Sequence, residues 1–257
     1  MLQDKKPNNW KETHSAVERA FLVYLNKNTD SFILKGGTAL YLCYGLTRFS
    51  EDIDLDGKNT GIKGKLEIGP YIEEFCKKNG FSANLKKDTD MVERWMIDYG
   101  SSDRKLKIES SYRTIDSPAI GASYVDGIKV YDIDRLTVMK CVAISDRIKI
   151  RDFYDICFIA NKYWDKISSS SKAMIQNVFE YKNFEYAEFL INTQKDELIQ
   201  AGDLADVFLN AYEKAGLSMA TEDKKIADTL KKVDTHPVGF SKKTKQTTKH
   251  NKWDLDR

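Results

Sequence analysis

The stretch Leu34-Lys-Gly-Gly-Thr-Ala-Leu40 constrains the chain more than any other. An apolar run, Phe32-Ile-Leu34, leads straight into two glycines, and a helix-forming run from Thr38 to Tyr44 follows, stopped by Gly45. A buried strand, a tight turn and a helix start fit that order. Glycine lets the backbone approach an anion closely, and the first N–H groups of the helix, with its dipole, stabilise the charge. Gly36 and Gly37 are therefore candidates for a phosphate-binding corner, with the Thr38 hydroxyl adding a hydrogen bond.

Arg48-Phe-Ser-Glu-Asp-Ile-Asp-Leu55 follows closely. Asp52 and Asp54 fall in a short strand ended by Asp56-Gly57. A period of two places both carboxylates on one face, with Ile53 and Leu55 on the other. Carboxylates held that close repel each other unless a cation lies between them. Hard oxygen ligands beside phosphate oxygens suit Mg2+. Such ions would activate an attacking hydroxyl and neutralise a pyrophosphate leaving group. Further on, an extended segment over 104–113 puts Leu106, Ile108 and Ser110 on one face and Lys105, Lys107 and Glu109 on the other. Glu109 is the candidate third metal carboxylate; the alternative is an exposed face carrying cross-strand ion pairs.

The surrounding pattern is α+β up to about residue 134. Val17, Phe21, Tyr24 and Leu25 mark an amphipathic helix over 11–27, and 66–78 reads as a second, stopped by Asn79-Gly80. Segments 81–87, 91–99 and 104–113 read as an antiparallel meander added to the earlier strands, giving a mixed sheet. From Arg135 the periodicity becomes helical. Leu136, Met139, Val142 and Ala143 share one face, and Tyr154, Cys157, Phe158 and Tyr163 another. Residues 135–240 read as a helical bundle punctuated by Gly202 and Gly216, and 241–257 as a basic tail. The division expected is thus 1–134, 135–240 and 241–257.

A second polar cluster lies in the helical part: Thr137-Val-Met-Lys140, then Asp146-Arg-Ile-Lys-Ile-Arg-Asp-Phe-Tyr-Asp155. Lys140 is a compact cation able to reach a triphosphate. Arg147 and Arg151 are expected on one helical face, as are Asp152 and Asp155. The alternative is a set of ion pairs on a solvated helix.

Charge excludes a general polycation: 41 basic against 39 acidic side chains leave a net +2 over 257 residues. Any nucleic-acid contact must use a local basic patch. The four cysteines form no CxxC pair, and His14, His236 and His250 lie far from them in sequence. Buried thiols in a reducing compartment are expected, not a zinc site. Met1 to Pro7 has no apolar core and no run approaches a membrane span, so a cytoplasmic protein without a membrane partner is expected.

Gly36-Gly37-Thr38, Arg48 to Leu55, Thr137 to Lys140 and Arg151-Asp-Phe-Tyr-Asp155, in that order, resemble the motifs of AbiEii-type nucleotidyltransferase toxins. These belong to the polymerase-β-like nucleotidyltransferase superfamily. The resemblance implies a catalytic domain with a mixed sheet followed by a C-terminal helical bundle. It implies a nucleoside triphosphate substrate, GTP in the founding type, addition of nucleotides to tRNA ends, and a cognate antitoxin. By motif match, Gly36, Gly37, Thr38, Lys140 and Arg151 form the nucleotide-binding set. Asp52 and Asp54 hold metal and Asp152 is a further catalytic carboxylate, with Glu109 the third metal candidate from its strand face alone. Either Asp146 or Asp155 would join Asp152.

The acceptor stays open. RNA would use Arg147, Lys149, Arg151 and the Lys-rich tail for backbone contacts. A protein hydroxyl or a small molecule would serve the same chemistry, and a nucleotide-binding regulator without turnover is a further reading. A Glu109 remote from Asp52 and Asp54 would favour the regulator.

Overall fold

In the computed structural model, residues 10–59, 64–101, 104–113, 121–199 and 201–218 are described, with Lys225 and Asp228 as isolated helical positions. The tail at 241–257, most of 219–240 and the first residues to Pro7 lie outside the described residues.

Helix α1 (Trp10–Asn28) buries Val17, Phe21, Leu22 and Leu25, the stripe its periodicity demands. Strand β1 (Phe32–Lys35) leads into helix α2 (Gly36–Tyr44), which ends at Gly45 in the left-handed conformation. Strand β2 (Asp52–Gly57) alternates strictly, with Ile53, Leu55 and Gly57 buried. Helix α3 (Gly69–Asn79) starts three residues later than the pattern at Leu66 suggests. A tertiary cap explains the shift. The buried Glu93 carboxylate accepts hydrogen bonds from the Ile68 and Gly69 amides, so a residue distant in sequence sets the helix start.

Strands β3 (Ser82–Asp88), β4 (Val92–Asp98) and β5 (Leu106–Ser111) form the expected antiparallel meander. A hairpin that the sequence pattern does not reveal follows, β6 (Ala122–Val125) and β7 (Ile128–Tyr131). Four-residue strands around Asp126-Gly127 are too short for a periodic signal. The sheet order is β3-β4-β5-β2-β1-β7-β6. Strands β2 and β5 run parallel, as do β1 and β7, so the sheet is mixed.

Helices α4 (Ile133–Asp146), α5 (Ile150–Tyr163), α6 (Ser169–Tyr181), α7 (Phe184–Thr193) and α8 (Ala201–Lys214) complete the described fold. Gly216 ends α8 as expected, whereas Gly202 lies inside its first turn. Helix α5 is buried almost throughout, with Phe153 packed against Phe179 and Phe208 of its neighbours. One contiguous apolar core joins sheet and helices.

Two helical expectations need correction. Arg147 and Arg151 do not share a helix, because the backbone is extended at Arg147 and Lys149 between α4 and α5. Gln194 bridges that break, accepting from the Ile150 amide and donating to the Ile148 carbonyl. On α4 the buried face carries Ile133, Leu136, Thr137, Lys140, Cys141 and Ile144, while Val142 is half exposed. A buried ion pair at Lys140 outweighs the simple apolar pattern.

Candidate active site

The outward face of β2 presents Asp52, Asp54 and Asp56 in a row, because Ile53 and Leu55 must face the core. The parallel register sets Asp52 beside Lys107 and Asp54 beside Glu109. Three of these acids then meet different partners. Asp52 pairs with the Lys107 ammonium at 2.6 Å. Glu109 pairs with Arg94 from the adjoining strand at 2.6 Å. Asp56 is held by Lys35 and accepts a hydrogen bond from the Tyr131 hydroxyl, which removes it from the cleft. Asp54 alone of the row has no ion-pair or hydrogen-bond partner of its own among the described residues. Burial raises its carboxyl above the usual range, and Asp52 and Glu109 add to that against the opposing Lys107.

The two glycines serve different neighbours. Gly36 takes φ +76°, and a Cβ there would lie 2.9 Å from the Asp54 Oδ2. A Cβ on Gly37 would meet the Arg48 Nη2 at 2.8 Å and the Ser50 Oγ at 2.9 Å. Thr38 does not point into the cleft. It is fully buried, and its hydroxyl donates to the Asp52 carbonyl and lies 2.9 Å from the Ser50 Oγ. It pins the start of β2 to the first turn of α2.

Behind the corner lies a buried ionic hub. Asp155 receives the Arg48 guanidinium through two hydrogen bonds of 2.7 and 2.6 Å, and the Lys140 ammonium at 2.6 Å. Asp152, in the first turn of α5, accepts from Lys140 at 3.0 Å and from Arg147 at 2.7 Å. Burial acts against the Lys140 charge, yet Asp155 and Asp152 outweigh it and hold its pKa above the usual lysine range. Burial acts against the Asp152 charge as well, and Lys140 and Arg147 pull its pKa below the usual range. Of the two aspartates open in the sequence, Asp155 joins this hub and Asp146 stays exposed at the end of α4. Both Asp152 and Asp155 are buried, so the solvated-helix alternative fails for them.

Arg151 is tied to Asp196 by bonds of 2.5 and 3.2 Å and lies 3.4 Å from Glu51. These groups enclose a cleft of about 970 Å3 between the sheet face, the α4–α5 break and the segment after α7. Gly37, Asp52, Asp54, Glu109, Lys140, Arg151 and Asp152 all line it. Arg94, Gln194 and Asp196 also belong to this cleft, and sequence motifs assign them no role. Nothing local marks them, since each matters only through a partner far along the chain.

Residues 21–235 match the family described as the nucleotidyl transferase AbiEii toxin of type IV toxin–antitoxin systems. The chain belongs to the AbiEii nucleotidyltransferase toxin family. The crystal structure of JHP933 from Helicobacter pylori superposes with a TM-score of 0.68 at 29% identity, covering 89% of this chain and 96% of that one. A second H. pylori structure, assigned as a nucleotidyltransferase, gives 0.67 at 28% identity, covering 90% of this chain and all of that one (100%). An uncharacterized protein of Aquifex aeolicus is 27% identical over 165 residues, which is 60% of this chain and 69% of that protein. As an AbiEii family member the protein is a nucleotidyltransferase, and the family implies a nucleoside triphosphate substrate and an antitoxin partner. Among the described residues no helix is long and apolar enough to cross a membrane.

Proposed function

We propose that this AbiEii family member moves a nucleoside monophosphate from a triphosphate onto an RNA acceptor, with tRNA the first candidate, in a Mg2+-dependent reaction. The observation that carries the reading is the juxtaposition of Asp52, Asp54 and Glu109 on one face beside Gly37 in the first turn of α2. A regulator without turnover would not need that third carboxylate in register with Asp54.

The fit of a metal turns on Asp54. Among the described residues no group of three His, Cys, Asp or Glu side chains is arranged to hold an ion. Asp52 and Asp54 nevertheless fit one: hard oxygens on one face, with Asp54 unpartnered and its charge disfavoured by burial. Glu109 stands in register with Asp54 but is held by Arg94, so it would join them only by exchanging that partner for the ion. Bound there, Mg2+ would supply Lewis-acid chemistry to the acceptor hydroxyl and to the leaving pyrophosphate.

The chain's own groups do the rest. The α2 amides at Gly37 and Thr38 bind phosphate oxygens. Arg147, half exposed and anchored on Asp152, reaches the same anion. Eight basic side chains line the cleft against five carboxylates, a surplus that suits a triphosphate and an RNA backbone. The acceptor oxygen attacks the α-phosphorus, the bond to the β-phosphate oxygen breaks, and pyrophosphate leaves. GTP is one candidate donor among the four nucleotides.

Incubation with each radiolabelled triphosphate and total cellular RNA tests this. Label should enter RNase-sensitive material with the wild type and vanish with Asp52→Asn or Asp54→Ala. Wild-type incorporation by Asp52→Asn would overturn the site assignment, and protease-sensitive label would move the acceptor to protein.

A further inference from the structure

His14 extends the buried stripe of α1, one turn before Val17 and Glu18, and is almost completely enclosed. Its ring packs edge-on against Trp10, Phe49 and Tyr99. Packing alone would ask for an apolar side chain there, yet both ring nitrogens are used. Nε2 lies 2.9 Å from the Glu51 carbonyl oxygen, and Nδ1 lies 2.7 Å from the Tyr99 hydroxyl. A carbonyl can only accept, so Nε2 carries the hydrogen and Nδ1 accepts from Tyr99. Glu18 stands 3.8 Å from Nε2. Burial pushes the Glu18 pKa up and the His14 pKa down, so both stay neutral and no charge draws the Nε2 hydrogen away from the carbonyl.

The carbonyl that His14 holds immediately precedes Asp52. Glu51 lies outside the ladder, because β2 pairs with β5 only from Asp52 and with β1 only from Asp54. Strand β1 reaches no further, since the chain turns into α2 at Gly36. Backbone pairing by itself therefore leaves Asp52 at the loose end of its strand. Side chains from two helices take over. Thr38 of α2 donates to the Asp52 carbonyl, and His14 of α1 donates to the Glu51 carbonyl. These two carbonyls belong to the two rigid peptide planes that flank the Asp52 Cα, so fixing both fixes the direction of its Cα–Cβ bond. The Glu51 carboxylate is held separately, by Arg104 at 2.9 Å and Arg151 at 3.4 Å. Its rotatable side chain leaves the peptide plane to His14.

We infer that His14 is a positioning residue for the metal site, whose Nε2 hydrogen, oriented by Tyr99, sets the peptide that aims the Asp52 carboxylate. The inference rests on the reading of Asp52 as a metal ligand given above. Groups that orient a ligand in this way govern metal affinity without touching the ion.

The test reads Mg2+ affinity directly, as the Mg2+ concentration that gives half of the full thermal stabilisation of the full chain, with kcat and KM measured beside it. Tyr99→Phe removes the hydroxyl and keeps the ring, so His14 loses its preferred tautomer without a gap in the core. His14→Leu removes the donor itself. The Mg2+ midpoint should rise by about 10- to 100-fold in His14→Leu, and in the same direction but less in Tyr99→Phe. His14→Gln restores a donor and should bring the midpoint back toward the wild-type value. At saturating Mg2+, KM for the triphosphate should stay nearly unchanged while kcat falls. A purely structural histidine would lower the melting temperature of the metal-free protein and leave the midpoint where it was, and that result would overturn the inference. Should His14→Leu fail to fold, Tyr99→Phe decides by the same midpoint. Wild-type protein that Mg2+ does not stabilise, or Asp52→Asn with the wild-type midpoint, would sink the metal reading itself. A defective Asp52→Asn beside unaffected His14→Leu and Tyr99→Phe would sink this inference alone.

Discussion

Arg48 and Asp155, 107 positions apart in sequence, meet in a two-point ion pair that is almost entirely removed from solvent. The same carboxylate takes the Lys140 ammonium. Asp155→Asn leaves two buried cations short of one negative charge. Removing one partner of a buried pair costs about 3–5 kcal/mol. Urea unfolding should show a loss of that order. A loss below about 1 kcal/mol would mean the hub adds little beyond surface pairing.

Gly36→Ala should damage activity more than stability. Forcing a side chain into the left-handed region costs about 1–2 kcal/mol. The new methyl group also strikes the Asp54 carboxylate, because its carbon would stand only 2.9 Å from the nearer oxygen. Circular dichroism and a thermal melt, alongside labelled-nucleotide incorporation, separate the two effects. A variant with wild-type turnover would show that Asp54 can shift freely.

Thr38→Val should behave in the opposite way. Its hydroxyl serves the Asp52 carbonyl, so the loss is structural, roughly 1–2 kcal/mol for an unsatisfied buried acceptor. Affinity for inorganic tripolyphosphate should stay nearly unchanged in calorimetry. A sharp fall in that affinity would return the hydroxyl to the phosphate site.

Asp54→Asn should raise the melting temperature measured in EDTA, since it removes a carboxylate whose charge burial disfavours more than Lys107 and Lys35 offset. Wild-type protein should gain stability on addition of Mg2+, because a ligand that binds only the native state stabilises it. The variant should gain much less. Equal Mg2+ shifts in both proteins would separate the metal from Asp54.

Glu18 supplies a pH signature. It is fully buried, neither carboxyl oxygen has a hydrogen-bond partner among the described residues, and burial pushes its pKa to about 9, with Asp52 and Glu51 adding to the shift. The folded state therefore holds this proton across a range where the unfolded chain, at 4.5, has lost it. The Glu18 contribution to stability therefore falls as pH rises from 4.5 and levels off above 9. Glu18→Gln should flatten that slope in melts taken from pH 5 to 9. An unchanged slope would place the titration elsewhere.

By itself the sequence determined the fold class, the strand–turn–helix corner, the shared face of Asp52 and Asp54, and the side of β5 on which Glu109 stands. All of these follow from periods of two or 3.6 residues and from glycine, which act over a few neighbours. Tertiary structure decided the partners. Whether Thr38 faces a ligand or the Asp52 carbonyl, and whether Asp146 or Asp155 enters the ionic hub, depends on groups brought from distant segments. So does the pairing of His14 with the Glu51 carbonyl. Burial and pairing are sums over contacts of the folded chain, and local periodicity carries no record of them.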